Sequence, residues 1–321
     1  MIGSIPKEKA LELYRNLVTA RLVGDKLYEM SRDRVGTIPW IHQGTGEEAI
    51  PIGICANLRK DDYLKVTTRT RVCLLAKGLS LRDVLATECT RDLPKVGGHY
   101  GYFDMDYGLI CYSGTLGEDV PVCVGAALAA KLKKTDQVAV AIFGDGTANR
   151  GSIHESMVVA AAWKLPMIFV IQNNQYGQGT SVRKSYAIRD LADRAKAYGF
   201  PGVTVDGNDI VEVYEVSKEY IARARTGGGP GLIAAETYRL VGHTPGDRQT
   251  YRPKGEAEEW RKADPLPRFQ KRLMEMGILT EGDVIRLDEE IRAEVDAAGE
   301  AAQQVPFPNM EDYVKTAVAE L

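Results

Sequence analysis

Two apolar runs separated by one helix constrain this chain more than any other feature. QVAVAIF (137–143) and PMIFVIQ (166–172) are short, apolar and rich in β-branched residues. Such strands belong in the middle of a parallel sheet that is covered on both faces. GSIHESMVVAAAWK (151–164) between them supplies the crossover helix that parallel strands need. The alternation extends both ways. DVPVCVGAALAAKLKK (119–134) precedes as a helix, with Pro121 tolerated in its first turn. After it come helix IRDLADRAKAYG, strand GVTV, helix DIVEVYEVSKEYIARAR, turn TGGGPG and strand LIAAETY. The pattern predicts an α/β protein with a doubly wound, mainly parallel sheet and helices on both faces.

Helical extensions flank this unit. KEKALELYRNLVTARLVGDKLYEM carries apolar residues at helical spacing with charges between them. A loop bearing Gly and His, TIPWIHQGTGEEAI, leads to PIGICANL, whose small residues suit a tightly packed helix. Residues 86–118 read as irregular, and a loop of that length implies a binding role. The tail from about 255 reads as charged and helical. The expected division is residues 1–270 as the α/β domain with its N-terminal helical segment, and 271–321 as a helical extension packing on the core or on a partner subunit.

Gly144-Asp145-Gly146 ends the first apolar run, where open parallel sheets bind ligands. Glycine lets a ligand approach the backbone. The following helix turns free N–H groups and its positive dipole end to the same place, which suits a phosphate or diphosphate. A dinucleotide fold would need GxGxxG and an acid closing the second strand. GDGTAN has Asn149 at its sixth position, and the second strand ends in Asn173-Asn174. A metal–diphosphate site fits better. Asp145, the Asn174 amide oxygen and a loop carbonyl near Tyr176 would give Mg²⁺ three oxygens, with phosphate and water completing an octahedron. One carboxylate suffices because the diphosphate carries the negative charge.

A chain of 321 residues can bury one large α/β unit or two small domains. Its net charge of −3 argues against a nucleic-acid protein. Five cysteines without CxxC pairing read as buried thiols in a reducing cytosol. No apolar run reaches the ~18 residues of a membrane span, and the N-terminus has no apolar signal core. A cytoplasmic globular protein is expected.

GDG, a helix and a strand, then NN at this spacing resemble the thiamine diphosphate enzymes. Nearly the whole chain, about residues 10–270, resembles the α subunit of the 2-oxo acid dehydrogenase E1 family, which includes pyruvate, branched-chain 2-oxo acid and acetoin dehydrogenases. IHQGTGEEA (41–49) looks like the family's H-x-x-x-G-Q-E-A segment, and GTLGEDVPVCVGAALAAKLK (114–133) like its G-I-V-G-x-Q-x-P segment. WKLPMIFVIQNNQYGQGTS (163–181) is very close to the family text, ETYRLVGHTPGDRQTYR (236–252) resembles its Y-R-x-x-G-H loop, and DPL (264–266) matches its DPI/DPL.

Carried over residue by residue, the resemblance implies roles. Asp145, Asn174 and the Tyr176 carbonyl would bind Mg²⁺, while Gly146, Thr147 and Arg69 would hold the diphosphate. Gly114 and Leu116 would offer main-chain groups to the aminopyrimidine. His243 would sit beside the diphosphate and thiazolium, and His42 would face the substrate. Plainer readings stand beside some of these: His42 as a helix-entry hydrogen bonder, Arg69 as a solvated charge. His154 reads as structural, His99 is open, and Tyr100, Tyr102, Tyr107 and Tyr112 read as loop packing. The chain departs from the family where Thr68-Arg69-Thr70-Arg71 replaces Y-R-x-H, where Val241 replaces a histidine, and where Glu118-Asp119 makes its segment more acidic.

The resemblance implies a thiamine diphosphate- and Mg²⁺-dependent E1 that cleaves the bond next to a carbonyl of a 2-oxo acid or acetoin-like substrate and passes the fragment to a lipoyl-bearing E2. The pyrimidine-activating glutamate would come from a β subunit in an α₂β₂ assembly. A split transketolase or carboligase, transferring the fragment to an aldehyde or ketone, is the alternative. A non-catalytic paralogue is a third reading, against which Asp145, Asn174 and His243 speak.

Overall fold

The computed structural model describes residues 5–32, 41–89, 91, 104–111, 114–307, 309 and 311. His99, Tyr100, Tyr102 and Tyr112 lie outside the described residues. The N-terminal part holds α1 (Lys7–Arg32), α2 (Ala49–Cys55), β1 (Tyr63–Lys65), α3 (Val72–Ala76), α4 (Leu81–Glu88) and β2 (Leu109–Cys111). The centre holds α5 (Asp119–Lys133), β3 (Ala139–Gly144), α6 (Asp145–Ala148), α7 (Gly151–Ala162), β4 (Met167–Asn173), the hairpin β5–β6 (Tyr176–Gly177, Thr180–Ser181) and α8 (Val182–Ser185). Then follow β7 (Gly202–Asp206), α9 (Ile210–Arg225), β8 (Gly231–Glu236), α10 (Glu256–Arg261), α11 (Pro265–Glu275) and α12 (Glu281–Gln304).

Six strands form one parallel sheet in the order β2-β1-β3-β4-β8-β7. The period of two along a strand divides the apolar runs between two cores. Ala141, Phe143, Phe169 and Ile171 pack with Val124 and Ala127 of α5 and Met157 of α7. Val140, Ile142, Ile168 and Val170 pack on the other face with Ile54 of α2 and Val213 and Ile221 of α9. Each fully buried Val, Ile, Phe or Met side chain among these contributes about 1.5–3 kcal/mol relative to exposure.

A third apolar layer joins Leu13 and Leu17 of α1 to Phe269 and Leu273 of α11 and to Ile291 and Val295 of α12. The charged tail thus packs on its own chain's first helix. Asp264 caps α11 by accepting from the Leu266 N–H, with Pro265 at the first helical position. Thr280 and Asp283 form a capping box on α12.

Residues 86–118 are not irregular throughout, since they contain the end of α4 and edge strand β2. Strand β1 also escaped the sequence pattern. It has only three residues, and one is Lys65, 1% exposed. The Lys65 ammonium donates to the Ile142 carbonyl at 3.1 Å and lies 3.3 Å from the Asp119 carboxylate, itself 1% exposed. A buried ion pair disguises the strand, and it places the acidic departure at 119 inside the protein. The helix expected over IRDLADRAKAYG is present as a 3₁₀ helix, Leu191–Tyr198.

From β1 the chain moves outward to β2, whereas from β3 it moves the opposite way to β4. The neighbours β1 and β3 therefore flank the switch point of the sheet, where connections leave a crevice at the carboxyl ends of the strands.

Candidate active site

A cavity of about 640 Å³ opens at that crevice. Residues 67–69 after β1, 144–147 after β3, Gln172 and Asn174 at the end of β4, and Arg239 and His243 after β8 all line it. His42 ahead of α2 and Gly114 and Leu116 ahead of α5 complete the wall. The structure brings His42, Arg69, Gly114, Leu116, Asp145, Gly146, Thr147, Asn174, Tyr176 and His243 together around this one space.

Asp145 opens α6 and is 2% exposed. Burial pushes its carboxyl up to about 7, and hydrogen bonds from the main chain of Asp145 and Asn174 offset part of that shift. The Tyr186 hydroxyl donates to the Asp145 carbonyl at 2.5 Å and anchors the turn from behind. Asn174 Oδ1 accepts from the Tyr176 N–H at 3.3 Å, and its Nδ2 donates to Glu47 at 2.9 Å. The Tyr176 carbonyl accepts from Arg239 Nη1 at 3.3 Å. Gly146 meets the β5–β6 hairpin at backbone distance: a Cβ on Gly146 would lie 3.2 Å from the Gly177 Cα.

Two arginines shape the opposite wall. Arg69 points inward, not into solvent. Its Nη1 donates to the Gln43 carbonyl at 2.6 Å, and its Nη2 donates to the carbonyl and Nδ1 of His243 at 3.0 and 3.1 Å. Burial pushes Arg69 down to about 10, which leaves it cationic at neutral pH. Arg239 Nη1 also lies 3.3 Å from His243 Nδ1. Guanidinium groups only donate, so His243 Nδ1 is an acceptor and Nε2 carries the proton. His42 is the reverse. Its Nδ1 lies 2.8 Å from the His243 carbonyl, which only accepts, so Nδ1 carries the proton and Nε2 holds the lone pair.

The two rings stand 4.7 Å apart. Burial, followed by the Arg69 charge, pushes His42 down to about 4 and His243 to about 3. Both are neutral at physiological pH. Asp247 fixes the loop that carries His243, accepting from its N–H at 2.7 Å and from the Tyr251 hydroxyl at 2.6 Å. His154 lies elsewhere. It accepts from Arg194 at Nε2 and meets the Tyr198 hydroxyl at Nδ1, as a structural residue does. Tyr107 packs against the apolar core, with the Lys60 ammonium 4.5 Å from its ring centroid.

The site's chemistry fits a metal-bound diphosphate. Its hard oxygens come from one carboxylate and neutral groups, and among the described residues no three His, Cys, Asp or Glu side chains cluster as a metal cage. Arg69 and Arg239 supply cationic wall, and buried Gln172 Oε1 and Arg239 Nε have no partner among the described residues. Sequence reasoning missed Glu47, Gln172 and Arg239. One signal was available: Gln172 stands two positions before Asn174, the spacing at which an extended chain turns side chains to one side, at the carboxyl end of β4. Glu47 and Arg239 are far from GDG and NN in sequence, and only the fold brings them in.

A parallel sheet presenting such a cavity at its switch point is the framework of an α/β enzyme that takes a diphosphate ligand. Residues 15–311 match the family model described as dehydrogenase E1 component. The chain is 38% identical over 313 residues to the alpha subunit of acetoin:2,6-dichlorophenolindophenol oxidoreductase from Bacillus subtilis (strain 168), with 95% of this chain and 92% of that one covered. It is 36% identical to the alpha subunit of 2-oxoisovalerate dehydrogenase from the same organism, covering 96% and 95%. It is 34% identical to the pyruvate dehydrogenase E1 component subunit alpha of Rhizobium meliloti (strain 1021), covering 97% and 90%. The chain belongs to the dehydrogenase E1 component family, as an alpha-type subunit. That membership implies thiamine diphosphate as cofactor, and the dehydrogenase reading is the one these relatives support. Among the described residues no helix is long and apolar enough to cross a membrane.

Proposed function

We propose that this chain is the α subunit of a cytoplasmic, thiamine diphosphate- and Mg²⁺-dependent E1 acting on a 2-oxo acid or acetoin-like substrate. A β subunit completes each site in an α₂β₂ assembly and supplies the pyrimidine-activating glutamate, and a lipoyl-bearing E2 receives the fragment. The observation that carries this reading is the pairing of Asp145 and Asn174 at the ends of adjacent parallel strands, beneath a cavity walled by Arg69.

When bound, thiamine diphosphate would supply a nucleophilic carbon for carbonyl chemistry and an electron sink for the charge left by C–C cleavage. This chain's residues bind and orient. Asp145, Asn174 Oδ1 and the Tyr176 carbonyl would hold Mg²⁺. Gly146, Thr147 and Arg69 would hold the diphosphate, and Gly114 and Leu116 would offer main-chain groups to the aminopyrimidine. His42 Nε2 would accept a hydrogen bond or proton from a bound group, and neutral His243 would donate a hydrogen bond from Nε2–H.

Calorimetric titration of thiamine diphosphate with Mg²⁺ into the chain co-purified with its β partner tests the reading. Mg²⁺-dependent binding that Asp145→Ala abolishes is the expected result. No binding by a folded complex would sink it. Reductive acylation of a lipoyl domain then identifies the dehydrogenase, whereas ligated products without acylation would identify a carboligase.

A further inference from the structure

Two amides at the floor of the cavity meet on one carboxylate. Glu47, 1% exposed, lies in the loop ahead of α2, at the position of the glutamine in the H-x-x-x-G-Q-E-A pattern. Its Oε2 accepts from Asn174 Nδ2 at 2.9 Å and from Gln172 Nε2. A carboxylate oxygen facing an amide accepts only from nitrogen, so each amide turns its NH₂ toward Glu47 and its oxygen away. Without that partner an amide can rotate by half a turn at little steric cost and present NH₂ where a cation needs oxygen. For Asn174 the oxygen turned away is Oδ1, which also accepts from the Tyr176 N–H at 3.3 Å. For Gln172, 3% exposed and lining the cavity, it is Oε1, which is buried without a partner among the described residues. Gln172 on β4 and Asn174 just past its end both reach the Glu47 carboxylate, so one acceptor from a distant loop meets both amides.

We propose that Glu47 is a positioning residue for the metal–diphosphate end of the cavity: it sets Asn174 with Oδ1 toward the cation and leaves Gln172 Oε1 as an acceptor for a donor bound in the cavity. The proposal rests on the metal–diphosphate reading above. A residue that merely filled space would leave metal dependence unchanged when replaced by an apolar side chain of similar size.

The test is the Mg²⁺ concentration giving half-maximal thiamine diphosphate binding, measured by calorimetry on the full chain with its β partner. Circular dichroism and Tm without Mg²⁺ check folding. Glu47→Leu removes the acceptor, and the half-maximal Mg²⁺ concentration is expected to rise about 10- to 100-fold, the usual cost of losing an outer partner of a metal ligand. Glu47→Gln keeps an acceptor oxygen and is expected to stay within about threefold of wild type, within the context dependence of such partners. Where Glu47→Leu does not fold, Glu47→Asp, one methylene short of both amides, carries the same expectation as Leu. Unchanged Mg²⁺ dependence in the folded Leu or Asp variant overturns the proposal. So does an equal loss in Glu47→Gln, because charge and not acceptor geometry would then be the cause. Failure of the wild-type complex to bind with Mg²⁺ overturns the metal–diphosphate reading instead.

Discussion

His42 and His243 are held in opposite tautomers 4.7 Å apart, one by the other's main-chain carbonyl and the other by two guanidinium groups. The arrangement gives each ring one proton role. His42 offers a lone pair at Nε2, and His243 offers a proton at Nε2. Nitrogen-15 spectra of the labelled chain at pH 7 are expected to show His42 protonated at Nδ1 and His243 at Nε2. Replacing Arg69 with Met removes one of the two donors to His243 Nδ1, and Arg69→Met/Arg239→Met removes both. The double variant is expected to give a mixture of His243 tautomers. A single unchanged tautomer in a folded double variant would refute the assignment.

The same two rings make a pH prediction. Both have folded pKa values, about 4 and about 3, below the ordinary value of 6.5. Between those values and 6.5 the unfolded chain binds protons that the folded chain refuses. Their contribution to stability therefore rises with pH over that window and is lost on acidification from 6.5. Asp145, raised to about 7, works in the opposite sense. The comparison must therefore be with a variant. In urea unfolding at pH 7 and pH 5, His42→Gln/His243→Gln is expected to lose less stability on acidification than wild type.

Gly146 and Gly177 close the floor of the cavity by backbone approach, so Gly146→Ala places a methyl group 3.2 Å from the Gly177 Cα. The hairpin must yield by a few tenths of an ångström, carrying the Tyr176 carbonyl with it. Thiamine diphosphate affinity is expected to fall about tenfold, a loss of about 1.4 kcal/mol, while Tm changes by only a few degrees. Calorimetry and a thermal melt separate the two effects.

Glu256 ties the hairpin to the loop that carries His243. One carboxylate oxygen accepts from the Tyr176 hydroxyl at 2.6 Å and the Tyr238 hydroxyl at 3.0 Å, and the Tyr238 ring stacks on Trp260 at 5.3 Å. Glu256→Ala leaves both phenols without this acceptor and is expected to cost about 1–3 kcal/mol in chemical denaturation. Weaker protection of residues 242–252 from hydrogen exchange would accompany it.

The sequence by itself determined the layers of the fold and the floor of the site. Apolar runs at 138–143 and 167–171 require a covered parallel sheet because both faces of their pleat are greasy. Glycines around Asp145 and the asparagine pair closing β4 are local patterns, legible because strand ends and turns are written in adjacent residues. Strands β1 and β2 were illegible because three residues carry no period, and because Lys65 is accommodated only by Asp119, far along the chain. The tertiary structure alone decided what surrounds the floor. Sheet order sets β1 beside β3 and β8 beside β4, and so brings Arg69, Arg239 and His243 to one cavity from segments that share no local pattern, while Glu47 meets its lining residues Gln172 and Asn174. Hydrogen-bond direction, which depends on the partner met in space, then fixed which way each amide and imidazole faces.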